Sequence, residues 1–161
     1  MAGAIYYSRV ESPVGPLLLA VSEHGLLALE FGRGRAPADW LESEEKTAPC
    51  AHQLAEYFSG RRRRFDLALD LRGTDFQKRC WQELLKIPYG ETRSYADIAR
   101  AIGSPSAVRA VGLANGQNPI AIIVPCHRVI GSDGSLTGYG GGLEIKRKLL
   151  ELEGALSGSL V

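Results

Sequence analysis

The stretch ETRSYADIARAIGSPSAVRAVGLANGQNP, residues 91–119, constrains the fold more than any other part of the chain. Ser94 stands where a helix N-cap is needed, and Ile98, Ala99 and Ile102 follow at helical spacing until Gly103. Ser104 and Pro105 then read as the cap and first residue of a second helix, since proline is tolerated at that position. Two short helices joined by a tight glycine-containing turn form the helix-turn-helix pattern. On the second helix Val108 and Val111 are expected to face the core. Arg109, Gly112 and Gly116 fall on one stripe. A single arginine on a stripe of glycines suits a helix that approaches a groove closely. The same glycines also suit close helix–helix packing.

Upstream, GTDFQKRCWQELLKIPYG predicts another helix. Thr74 and Gln77 form a capping box, Phe76, Cys80, Leu84 and Leu85 line one face, and Pro88 stops the helix. Residues 4–31 predict short strands, with a hairpin turning at Glu23-His24-Gly25. CAHQLAEYFSG predicts a helix, with Cys50 near its start. RFDLALDLRG alternates Phe65, Leu67, Leu69 and Leu71 with polar or small residues and predicts a half-buried strand. The chain of 161 residues thus reads as α+β. A small N-terminal α/β domain with an antiparallel sheet spans 1–72. A mostly helical, winged-helix-like domain containing the helix-turn-helix spans 73–161.

Composition excludes several classes. The net charge is +1, so no strongly basic chain announces itself, although residues 73–128 carry seven Lys or Arg against four acids. Arg61–Arg64 read as a solvated turn. Three cysteines without a CxxC pair, and scattered histidines, fit neither a disulfide framework nor a metal site. Neither a signal peptide nor a membrane span is read, so a reducing cytoplasm is expected.

The chemistry concentrates in NPIAIIVPCHRVIG, residues 118–131. The apolar run reads as a buried strand whose pairing breaks at Pro125, which lacks an N–H. Cys126 follows, beside His127 and Arg128, and cationic neighbours favour a thiolate. In an extended segment adjacent side chains diverge, so a water relay between Cys126 and His127 is expected rather than direct contact. Such a base needs a third group to orient it. Glu153 lies on the apolar side of the last helix, GGLEIKRKLLELEG, and needs a buried partner. His127 is the expected one.

Together, Pro125-Cys126-His127-Arg128-Val129, the preceding helix-turn-helix and the following Glu153 resemble the O6-alkylguanine-DNA alkyltransferases of bacterial type. The resemblance covers residues 73–154, and SPVGPLLLAVSEHGLLALEF also looks like those proteins' N-terminal domain. It implies that Cys126 accepts the alkyl group, with His127 as base through water and Glu153 holding the imidazole. Tyr95 would help turn the nucleotide out and hydrogen-bond the leaving guanine, Arg109 would fill the vacated space, and Asn118 would be the hinge before the active-site strand. Ser94, Ala107, Gly112 and Gly116 would lie at the DNA. Tyr139, Val129, Ala121, Pro125 and Gly140 would line the substrate pocket, where Ala121 and Gly140 depart from some members and would widen it. The partner implied is double-stranded DNA carrying alkylated bases, O6-alkylguanine and O4-alkylthymine. No cofactor, metal, membrane or obligate protein partner is implied, and the protein is expected to be a monomer. A lesion lies inside the base stack, so the nucleotide must be extruded. A thioether product offers no easy hydrolytic release, so one chain repairs one lesion. The alternatives are a cysteine hydrolase, for which no local signature is present, and a non-catalytic helix-turn-helix lesion sensor or regulator. The related non-repairing group replaces the cysteine, whereas Cys126 is present.

Overall fold

The computed structural model describes residues 3–139 and 141–156. The chain separates into two compact units, Met1–Arg72 and Gly73–Val161.

In the first unit, β1 (Tyr6–Val10), β2 (Leu17–Ser22), β3 (Gly25–Phe31) and β4 (Leu41–Glu42) form one sheet in the order β3-β2-β1-β4. The β2–β3 hairpin turns where the sequence places it. β4 is too short for a periodicity signal and pairs parallel to β1 through Tyr6 and Leu41. The expected strand at 65–71 is an extended segment instead. Phe65, Leu67 and Leu69 are half-buried and Asp66 and Ala68 exposed, so the alternation is present. Only Leu69 bridges to the sheet, at Leu26, with Leu26 N–H donating to the Ala68 carbonyl and Asp70 N–H to that of Leu26. Leu26 is the second residue of β3 and the first unit ends at Arg72, so the ladder stops after one rung. Gly25 is required here: at φ +144° its missing Cβ would sit 2.5 Å from the Ala68 oxygen.

Helix α1 (Glu44–Phe58) begins six residues before Cys50, capped by Ser43, and carries Pro49 within it. Cys50 therefore lies in the second turn, not at the start, and packs with Leu54 and Tyr57 in the core. Of the arginine run, Arg61, Arg63 and Arg64 are exposed, and Arg62 pairs with Glu56 at 2.9 Å.

In the second unit, α2 (Asp75–Leu84) starts at the Thr74–Gln77 capping box and buries Cys80, Trp81 and Leu84. Leu85, expected on that face, is the C-cap and is 42% exposed. The short β5 (Arg93–Ser94) leads into α3 (Tyr95–Ala101), capped reciprocally by Ser94 and Asp97 and closed by Gly103 at φ +79°. α4 begins at Val108, not at Pro105, and runs to Gly116. Ser104–Ala107 closes as a separate turn, Ala107 N–H donating to the Ser104 carbonyl, so Pro105 starts a turn rather than the helix. α2 and α3 both pack on α4, and the Trp81 indole N–H donates to the Ala114 carbonyl at 2.8 Å. β6 (Val129–Ile130) pairs parallel to β5, and α5 (Leu143–Leu152) follows. No helix of the described residues is long and apolar enough to cross a membrane.

Candidate functional site: a buried cysteine–histidine–glutamate cluster

The segment carrying Cys126 is not a strand. Residues 121–124 turn, and Cys126–Arg128 form one 3₁₀ turn before β6. A run buried on every side gives no periodicity to separate strand from turn, which is why the sequence misleads here. Side-chain amides take the place of a sheet ladder. Asn118 accepts from Ile120 N–H at 3.0 Å and donates to the Val124 carbonyl at 2.8 Å. Asn115, buried on α4, donates to the Cys126 carbonyl at 3.3 Å. Ile122 sits in the left-handed region at φ 71°, a strained conformation for a β-branched residue.

His127 and Arg128 both turn toward Glu153, which follows α5 as its C-cap. The imidazole Nε2 lies 2.8 Å from Glu153 Oε2. The guanidinium donates from Nε to Oε1 at 2.8 Å and from Nη2 to Oε2 at 3.0 Å, and its Nη1 reaches the Ile87 carbonyl at 2.7 Å. Burial pushes Glu153 up, but the bonds from His127 and Arg128 outweigh it and hold the carboxyl down at about 2. Burial pushes His127 the other way, below its ordinary value, despite Glu153. The imidazole is therefore neutral at neutral pH. An ionised Glu153 assigns the hydrogen to Nε2 and leaves the lone pair on Nδ1. That Nδ1 is buried and has no protein partner among the described residues.

Cys126 is 5% exposed. Burial raises its thiol above the ordinary value, and hydrogen bonds from Asn118 and Tyr139, together with the charge of Lys146, pull it back. Cys80 is raised by burial, and Cys50 is pushed to about 12. The sequence reading expects the cationic influence from the adjacent residues. His127 is neutral and Arg128 is bound to Glu153, so Lys146 supplies it instead. Lys146, Asn115 and the Arg128–Glu153 pairing were all missed. The run KRKLLEL hides Lys146 among surface charges, and only its spacing of three from Leu149 and four from Leu150 signals the buried face.

The remaining candidates fall into two groups. Around Cys126, Pro125, Val129 and Ala121 are buried and Tyr139 is half-buried; Gly140 lies outside the described residues. The Tyr95 hydroxyl donates to the Thr137 carbonyl at 3.3 Å. On α4, Arg109 is exposed and makes no hydrogen bond or ion pair among the described residues. Val111 is buried, Val108 only half so. A Cβ at Gly116 would meet nothing within 4 Å, and one at Gly112 would meet only Tyr95 Cδ1 at 3.9 Å. Close helix packing therefore does not explain Gly116. Leu113, one turn after Arg109, is 65% exposed, so the arginine's face is not bare. The Ser94 hydroxyl is occupied as a cap, and Ala107 is the N-cap of α4. Among the described residues no three His, Cys, Asp or Glu gather as a metal site.

Residues 75–155 match the family described as 6-O-methylguanine DNA methyltransferase, DNA binding domain, and residues 5–71 match its ribonuclease-like domain. The chain belongs to the 6-O-methylguanine DNA methyltransferase family. It is 58% identical over 153 residues to the methylated-DNA–protein-cysteine methyltransferase of Methanosarcina barkeri, covering 92% of this chain and 97% of that one. It is 56% identical over 154 residues to the enzyme of that name from Mycobacterium bovis, covering 92% of each. Among solved structures, Mycobacterium tuberculosis OGT in complex with DNA superposes with a TM-score of 0.89 at 55% identity, covering 93% of both chains. Methyltransferases of this family thus share both units of the present chain.

Proposed function

We propose that this protein is a methylated-DNA–protein-cysteine methyltransferase performing direct-reversal repair, in which Cys126 takes the alkyl group from O6-alkylguanine, and from O4-alkylthymine, in duplex DNA. The observation that carries the reading is the orientation of His127: Nε2 is fixed on Glu153 and an open Nδ1 lone pair is held in the turn that contains Cys126. His127 draws the thiol proton through one water. The thiolate sulfur attacks the alkyl carbon, a carbon–sulfur bond forms and the carbon–O6 bond breaks. The electron pair stays on guanine, which is reprotonated with the help of the Tyr95 hydroxyl. The thioether has no hydrolytic exit, so the chain acts once.

The C-terminal unit, 73–161, binds DNA through α4 and accepts the alkyl group; the N-terminal unit, 1–72, is structural. Arg109 fills the space that the extruded nucleotide leaves, and Gly112, Gly116, Ala107 and Ser94 lie against the duplex. Tyr139 closes over the base between Val129, Ala121 and Pro125. Asn118, bonded on both sides of the turn, positions the acceptor. No cofactor takes part, and the monomer acts in the cytoplasm.

Intact mass and peptide mapping after incubation with duplex containing O6-methylguanine test this. One added methyl group on Cys126 is expected. Repeated turnover would mean a hydrolase, and tight lesion binding without an adduct would mean a sensor.

A further inference from the structure

Four consecutive arginines, Arg61–Arg64, follow α1 and take no part in the chemistry of Cys126. They stand in a built turn. Gly60 N–H donates to the Tyr57 carbonyl at 3.1 Å and Arg61 N–H to the Glu56 carbonyl at 2.9 Å. Arg62 turns inward: its Nε donates to Glu56 Oε1 at 2.9 Å and its Nη1 to the Arg64 carbonyl at 2.7 Å. Just beyond, Gln53 on α1 accepts from Asp66 N–H and donates to the Asp66 carbonyl, both at 2.9 Å. One arginine thus ties the turn to α1, while Arg61, Arg63 and Arg64 are exposed. Neither Arg61 nor Arg64 makes an ion pair among the described residues. One cation past the end of α1 suffices to complement its dipole, and Arg62 stands there. The other three guanidiniums, crowded into four residues, repel one another, and a polyanion relieves that repulsion.

The helices that read DNA carry little charge for its backbone. Between residues 91 and 116 the only cations are Arg93, Arg100 and Arg109. Arg93 pairs with Glu91 at 3.1 Å, and Arg100 pairs with Asp97. Arg109 is assigned to the space that the extruded nucleotide leaves, inside the stack rather than at a phosphate. Duplex binding draws a large share of its affinity from neutralised phosphates. Positive charge for that purpose stands elsewhere in the chain, and Arg61–Arg64 is its densest group. We propose that Arg61, Arg63 and Arg64 form a second contact with DNA, gripping phosphates through the first unit. The proposal goes beyond methyl transfer and adds to the structural role given to that unit. A guanidinium presents paired N–H donors that match phosphate oxygens. Phosphates repeat along any sequence, so the contact holds the chain on DNA without choosing a site. They belong either to the duplex that α4 reads or to a neighbouring stretch, and the length of the DNA tells these apart.

Binding of undamaged duplex, titrated by fluorescence at several salt concentrations, tests this. Arg61, Arg63 and Arg64 are replaced together by Gln, and Arg62 is kept because it builds the turn. The log–log slope against salt is expected to fall by about two to three, at about 0.9 for each phosphate neutralised. Replacing the same three residues by Lys is expected to restore the slope. Alkylation of Cys126 by free O6-benzylguanine should be unchanged in both variants, since the free base carries no phosphate. A fall already present on a duplex that holds one chain assigns the phosphates to the duplex that α4 reads. A fall confined to a long duplex assigns them to the neighbouring stretch. An unchanged slope on both lengths, in a folded variant, overturns this proposal and leaves the methyl-transfer reading standing. A wild type that binds duplex but leaves Cys126 unalkylated overturns that reading alone. Should the triple Gln variant not fold, Arg64→Gln by itself is expected to lower the slope by about one, and an unmoved slope there overturns the proposal.

Discussion

His127 and Glu153 face each other across 2.8 Å, neither side chain having any exposed surface. The contact joins the 3₁₀ turn to the end of α5 and fixes which imidazole nitrogen keeps its lone pair.

Replacing that carboxylate by an amide removes the anion that orients the ring and raises its basicity. Glu153→Gln is therefore expected to slow alkyl transfer at neutral pH by about a hundredfold, the low end of general-base contributions. The rate should rise only at higher pH, where hydroxide replaces the missing base. Stopped-flow rates across pH check this, and an unchanged profile in folded protein would leave Glu153 with a structural role alone.

The same residue couples folding to acid. Its folded carboxyl titrates at about 2, below its ordinary value. Its contribution to stability is thus fully present above the unfolded value and is lost as pH falls toward 2. At pH 7 Glu153→Gln leaves the Arg128 guanidinium buried without its anion and should cost about 3 kcal/mol. Urea unfolding at pH 7 and at pH 3 is expected to show the gap between wild type and variant narrowing with acid.

Arg109→Ala should impair repair of duplex DNA while leaving reaction with free O6-benzylguanine unchanged, because the free base needs no extrusion. The log–log slope of binding against salt should change little, because Arg109 enters the base stack rather than pairing with a phosphate. Leu113→Ala, on the same face, should weaken binding without altering that slope. Equal losses on both substrates would refute the role given to Arg109.

Stoichiometry separates the three cysteines. Repair should stop when lesions equal protein, with the adduct on Cys126. Cys50 and Cys80 should remain free, since burial raises both thiols and neither stands beside an imidazole with an open lone pair, as Cys126 stands beside His127. Cys126→Ser should abolish transfer yet bind damaged duplex, because α3, α4 and Arg109 are untouched. Peptide mapping after reaction with methylated DNA is the measurement.

The sequence exposed some of this directly because certain signals are local. The Thr74–Gln77 and Ser94–Asp97 ends are capping chemistry within four residues, and each helix starts where its cap stands. The apolar Glu153 position was legible because a carboxylate on that side of a helix needs a partner. Lys146 was not, since a lysine among KRK looks solvated until the Val129 and Thr137 carbonyls are seen to receive it. Nor was the turn that holds Cys126. Its shape depends on Asn115 and Asn118 amides that satisfy backbone groups no pattern of hydrophobicity reports. Pro105 was misplaced because a proline two residues past Gly103 serves a turn as readily as a first helical position.

Glu153 lies 26 residues beyond His127 in the chain. Cys126 and His127 therefore leave the ribosome before α5 exists, by a second or several at ordinary rates of about 5–20 residues per second. Until that helix is made, Arg128 has no carboxylate, Lys146 has not arrived and Cys126 is one more unactivated thiol. The proposed single-use acceptor is thus kept unarmed during synthesis until α5 completes its surroundings.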